Sequence, residues 1–274
     1  CVPASGRDGA LVSTEVAPDR TRTEDRYPSR GGGRPGLHPR PDPAVWGDGT
    51  GTALTADQVG AFERDGYLHL EGVLSADEVE ALYAEVDRMV ADPAVRAADR
   101  TIVEPESDDV RSVFEVHHDG PFGRLARDHR LAGVARQLLG SDVYVHQSRV
   151  NLKPGFRGKE FYWHSDFETW HTEDGMPVPR ALSASVALTD NHHTNGPLMV
   201  IAGSHETFVA CGGETPADHH QESLRRQEIG VPDDASLAEL ARVGEIRDVV
   251  GPAGSVTFFD SNTMHGSGSN ITPA

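Results

Sequence analysis

Residues 161–174 read FYWHSDFETWHTED. The aromatic start of this run reads as a short strand, in which alternate side chains share a face, so His164 and Asp166 would project together. An imidazole nitrogen and a carboxylate oxygen side by side suit Fe(II), and a second histidine would complete a triad that leaves coordination positions open for small molecules. The spacing alone is weak evidence. The chain has 14 histidines, and about one His-x-Asp is expected by chance. A second one exists, His117 and Asp119 in VHHDG, but it reads as a turn entering a helix.

On either side of this run, the chain after Ser141 breaks into short strand-like segments separated by Gly, Pro and Asn: VYVHQSRVNL, FYWHSDF, LSASVALT, LMVIAG, RDVV and SVTFFD. Many short strands with turn signals between them imply a sandwich or a barrel, interrupted by a helix around 235–242. His265 follows the last segment and is the best candidate for the third ligand. His192 and His193 sit in the turn-like DNHHTNG, and His219 and His220 in a polar stretch that reads as a loop.

The first half is helical in pattern. Thr55 caps a short helix ending near Gly66, followed by a strand at 67–70. Ser75 and Glu78 form a capping box before Val79, Leu82, Tyr83, Val86 and Val90. A third helix is expected over about 121–139, stopped by Gly140. Residues 1–44 are rich in Gly, Pro, Arg and Asp and are expected to form a disordered N-terminal tail, with the folded domain over 45–274.

Composition narrows the function. A net charge of −18 argues against nucleic acid and anionic membrane surfaces as partners. Two cysteines, Cys1 and Cys211, exclude a disulfide framework or a Cys-based zinc site and fit a reducing cytoplasm. The chain starts with Cys and stops at Ala274 just after SNITP, so one or both ends are expected to be incomplete.

In VHQSRVNLK, the residues Gln147, Arg149, Asn151 and Lys153 alternate along the strand expected before the His-x-Asp. A solvated outer face and a polar wall for carboxylates are both open readings. Aromatic residues crowd the same region, Phe161, Tyr162, Trp163, Phe167, Trp170, Phe258 and Phe259, as core or as pocket lining.

FYWHSDFETWHTEDGMPVPR, QSRVNLKPGF, NGPLMVIAGSH and GPAGSVTFFDSNTMHGSGSNITP resemble, in this order, the ectoine hydroxylase branch of the phytanoyl-CoA-dioxygenase-like Fe(II)/2-oxoglutarate oxygenases. The resemblance covers roughly residues 40–274. It implies a mainly β fold, a double-stranded β-helix (jelly roll, cupin-like) with flanking helices. Carried over residue by residue, it implies His164, Asp166 and His265 as metal ligands and catalytic centre. It implies Lys153, Arg149 and Asn151 as 2-oxoglutarate contacts, and Gln147, Trp170 and Phe259 as ectoine contacts. His117 and Asp119 match no ligand position, and Ala202 stands where the superfamily often has Pro.

The implied reaction is the hydroxylation of ectoine to 5-hydroxyectoine, using O2 and releasing succinate and carbon dioxide. The implied role is in compatible-solute metabolism under osmotic and temperature stress. The family has an Arg just beyond SNITP that pairs with 2-oxoglutarate, so the jelly roll is expected to be truncated at its C-terminus. The residues leave open an oxygenase acting on another small molecule and a non-catalytic jelly-roll binding module. The resemblance leaves monomer and homodimer both open.

Overall fold

The structure is a computed structural model that describes residues 25–31, 34–104, 107–118, 120–214 and 230–273. Order begins earlier than composition implies. β1 (Gly36–Pro39) pairs antiparallel with Thr207–Ala210, Tyr27 is fully buried, and Arg30 is buried in ion pairs with Glu168 and Glu173. The disordered-tail expectation is therefore wrong for 25–31 and 34–44, while residues 1–24 lie outside the described residues. Composition sees this segment alone, whereas its partners are supplied by elements far along the chain.

Thr55 and Ser75 open α1 (Ala56–Asp65) and α2 (Ala76–Ala91) in the same way. Each hydroxyl accepts the N–H three residues on, and Gln58 or Glu78 reaches back to the cap's own N–H. Two donors that a helix start leaves unpaired are thus satisfied. Between the two helices, Gly66 takes left-handed backbone at φ +76°, which lets β2 (Tyr67–Leu70) leave at once.

After the short α3 (Pro93–Arg96) come β3 (Thr101–Val103) and β4 (Val110–Phe114). The expected third helix is broken into α4 (Gly120–Arg127), one π turn at 129–133, and α5 (Val134–Leu139). Asp128 causes the break. Its carboxylate accepts the Arg130 N–H and holds the Arg130 guanidinium, which keeps Asp128 extended and caps the π turn.

β5 (Arg149–Asn151) completes the sheet β3-β4-β5, and the strand expected over 143–152 shrinks to these three residues. Its ladder ends because β4 turns away at Glu115, which takes φ +58° just after Phe114 pairs with Arg149. Residues 143–148 have no strand to pair with, so Gln147 is an exposed loop residue and does not share the face of Arg149 and Asn151.

The remaining elements are β6 (Phe161–His164), α6 (Asp166–Asp174), β7 (Leu182–Val186), β8 (Leu198–Ile201), β9 (Thr207–Ala210), α7 (Asp234–Val243), β10 (Ile246–Asp248), β11 (Val256–Asp260) and β12 (His265–Ser267). They build the sheets β10-β8-β12-β6 and β2-β11-β7, with β1-β9 beside them. The chain alternates between the first two: β6 in one, β7 in the other, β8 back, then β11 and β12. That alternation is the winding of a double-stranded β-helix.

β11 is buried at all five positions, in keeping with its apolar Val256, Phe258 and Phe259, and the buried Thr257 hydroxyl is paired with His69. Phe258 and Val256 join Leu54, Phe62, Leu68, Val134 and Leu138 in a core cluster, fastening the sheet to α1 and α5.

Candidate metal centre

β6 and β12 lie side by side in one sheet, and His265 pairs directly with His164. Both imidazoles are buried, at 4% and 6% exposure. Each ring donates from Nδ1 to a carbonyl two residues earlier, His164 to Tyr162 at 2.7 Å and His265 to Thr263 at 2.9 Å. A carbonyl can only accept, so Nδ1 carries a proton, and Nε2 is the ring nitrogen left to face a metal.

Asp166 reaches the pair from a different direction than alternation along a strand predicts. β6 ends at His164, Ser165 caps a helix, and Asp166 is the first residue of α6. The strand-to-helix corner, not a shared strand face, brings the carboxylate over. Asp166 Oδ1 stands 3.9 Å from His164 Nε2 and 3.8 Å from His265 Nε2, while Oδ2 accepts the Ser183 hydroxyl at 2.7 Å. One ligand atom from each of the three residues lies within 4.8 Å of the others, the one such cluster among the described residues.

The protonation states suit metal binding. Burial, and then the neighbouring His265, push His164 down to about 3, so it is neutral at ordinary pH. Burial alone would raise the Asp166 carboxyl, but His265, His164 and Arg149 outweigh it and hold it below the usual carboxylate range. Two imidazoles that turn their Nε2 atoms toward one ionised carboxylate form a donor set that fits Fe(II).

A cationic wall flanks the triad. The Arg111 guanidinium lies 4.4 Å, the Lys153 ammonium 5.5 Å and the Arg149 guanidinium 5.7 Å from the ring centre of Phe161 on β6. Lys153 donates to the Gly196 carbonyl, the Ser267 hydroxyl and the Gly268 carbonyl, which places it beside β12 two residues past His265. Burial, with Arg111 nearby, lowers it to about 8. Asn151 is exposed and accepts the Ser112 hydroxyl. Such clustered cations offer a site for a dicarboxylate.

Phe259 lies with its ring 4.7 Å from that of His265. Trp170 is on α6, one turn beyond Asp166, edge-on to His146 at 5.0 Å. Gln147 follows His146 on the same loop. Arg111 and Ser183 escape sequence reasoning, because a single arginine and a serine within strands carry no spacing signal.

The competing histidines go elsewhere. His117 hydrogen-bonds the Ser148 hydroxyl at 2.6 Å, His192 the Thr194 hydroxyl and His193 the Asp248 carboxylate. Asp119, His219 and His220 lie outside the described residues.

A double-stranded β-helix with two histidines on adjacent strands and one aspartate from the helix that follows defines the class of the non-haem iron oxygenases. The chain belongs to the phytanoyl-CoA dioxygenase (PhyH) family, whose model matches residues 62–274. It is 60% identical over 252 residues to an ectoine dioxygenase of Bordetella bronchiseptica, covering 91% of this chain and 82% of that protein. Identity to an ectoine dioxygenase of Stutzerimonas stutzeri is 56%, with 91% and 83% covered. A crystal structure of EctD from S. alaskensis with 2-oxoglutarate and 5-hydroxyectoine matches at a TM-score of 0.81 and 51% identity, over 91% of this chain and 83% of that one. The same protein with bound Fe matches equally well, with 84% of that chain covered.

Proposed function

We propose that the chain hydroxylates ectoine to 5-hydroxyectoine in a 2-oxoglutarate-dependent reaction that consumes O2 and releases succinate and carbon dioxide. The observation that carries this reading is the cluster of two buried imidazoles and one carboxylate, His164, His265 and Asp166, in a chain 60% identical to an ectoine dioxygenase. His164, Asp166 and His265 hold Fe(II). When bound, the iron supplies the oxygen activation that no side chain can provide.

The chain's own groups bind and orient. Arg149 and Lys153, with Asn151, seat the carboxylates of 2-oxoglutarate, and Arg111, also against Phe161, adds positive potential. Ectoine has a carboxylate and a delocalised cationic ring, which match the polar Gln147 and the aromatic faces of Trp170 and Phe259. Phe259, packed against His265, excludes water from the reacting face.

No helix among the described residues is long and apolar enough to cross a membrane. A cytoplasmic enzyme that makes a compatible solute under osmotic stress fits this reading. Its domain is residues 45–274 together with the ordered strap that precedes them.

The test is a mass-spectrometric assay with Fe(II), 2-oxoglutarate, isotopically labelled oxygen gas and ectoine. Labelled hydroxyectoine and succinate formed together support the reading. Succinate without hydroxyectoine would overturn the substrate assignment, and neither product would overturn the enzymatic one.

A further inference from the structure

The family model begins at residue 62, yet the strap formed by 25–31 and 34–44 sends two buried arginines into the two elements that deliver Asp166 and His265. Arg30 forks onto Glu168, Nε to Oε1 at 3.0 Å and Nη2 to Oε2 at 2.7 Å, and its Nη1 reaches Glu173 at 2.7 Å. All three side chains are 6% exposed or less. Both glutamates lie on α6, whose first residue is Asp166.

Arg40 forks onto Asp260, Nη1 to Oδ1 at 2.7 Å and Nη2 to Oδ2 at 3.0 Å, and also donates to the His205 carbonyl. Asp260 closes β11, and its Oδ1 accepts the Asn262 N–H, fixing the start of the crossover that carries His265 into β12. Two further contacts link the halves. The Phe167 N–H donates to the Ser261 carbonyl at 2.8 Å, and Tyr27 of the strap packs edge-on against Phe167 at 5.0 Å.

A guanidinium fork fixes the position and orientation of a carboxylate as well as its charge. Metal sites are sensitive to that, because losing a group that orients a ligand typically weakens metal binding by about 10- to 100-fold. We propose that the strap is a positioning device for the triad: Arg30 sets α6 and thereby Asp166, and Arg40 sets the crossover and thereby His265. The proposal rests on the reading of the triad as the Fe(II) site. Neither arginine contacts a ligand atom, so both are positioning residues.

The experiment is an anaerobic Fe(II) titration of the full chain, comparing wild type, R30K, R40K and L138A, with circular dichroism checking the fold at the titration temperature. Lysine keeps the charge and loses the fork. Leu138 is fully buried in the helix-facing core and serves as a destabilised control outside the strap. The expected result is Fe(II) binding weakened about tenfold or more in R30K and R40K, with L138A binding as wild type does. Affinity unchanged in both folded arginine variants would overturn the proposal.

Should the variants not fold, the wild type answers by reciprocity, since a strap that tightens the metal site must itself be tightened by the metal. Hydrogen exchange of the Arg30 and Gly31 amides, which bond to Cys211 and Gly213 carbonyls, is expected to slow on adding Fe(II). Unchanged exchange would overturn the proposal. Wild type that takes up no Fe(II) would overturn the site reading and the strap with it, whereas uptake insensitive to the strap would overturn the strap alone.

Discussion

His164 and His265 face each other in register across two antiparallel strands, with ring centres 4.2 Å apart. A slip of one residue would turn one ring to the opposite face of the sheet, so the pairing of β6 with β12 is itself a condition for the site. The register shifts between His265 and Ser267, so that Ser267 pairs with Phe161.

Removing the carboxylate tests the proposed His-x-Asp, His164 and Asp166, against the second one in the chain. D166A should lose Fe(II) binding and turnover together, while H117A, whose ring bonds Ser148 and packs on His118, keeps both. An Fe(II) titration and a succinate assay decide it. Comparable losses in the two variants would mean that the metal lies elsewhere.

Trp170 is 8% exposed, and cutting it to Ala would cost about 3–5 kcal/mol in packing alone. W170F is the better probe. Hydroxylation of ectoine should fall more than the decay of 2-oxoglutarate without substrate, so the ratio of succinate to hydroxyectoine rises above that of wild type. An unchanged ratio would leave Trp170 a packing residue.

Lys153 gives the pH dependence a definite sign. Below about 8 the folded and unfolded chains both carry its charge, and the cost of burying it is felt in full. Between about 8 and the ordinary value of 10.5 only the folded chain sheds the proton, so stability from this group rises with pH. Binding of 2-oxoglutarate should weaken over the same rise, as the charge that meets its carboxylate is lost. Urea unfolding and 2-oxoglutarate titration across this range should therefore trend in opposite directions, and K153M should flatten both.

Gly66 ends α1 and also accepts the Asp260 N–H and the Thr263 hydroxyl on its carbonyl, seating the crossover that leads to His265. At φ +76° an alanine costs about 1–2 kcal/mol, and its Cβ would overlap the His205 ring. G66A should lower the thermal midpoint and reduce Fe(II) affinity. A midpoint like that of wild type would show that His205 moves aside freely.

Features that depend on neighbours along the chain were legible in the amino-acid order. The caps of α1 and α2 are local hydrogen bonds between residues three apart, Gly66 and Gly140 are local backbone requirements, and β11 shows as a strand-like segment between turn signals. The residues of the triad were legible too, through the HSD motif and a histidine after the last strand. Their geometry was not. Asp166 arrives from the first turn of a helix, and no alternation rule anticipates a strand that stops at its histidine. Gln147 left its expected face because β4 bends at Glu115, well upstream in the chain. The fate of 25–31 and 34–44 was settled by long-range packing: Tyr27, Arg30 and Arg40 are ordered by Phe167, Glu168, Glu173 and Asp260. The free energy of a buried fork exists only once both partners have left water together, and no reading of one segment contains the other.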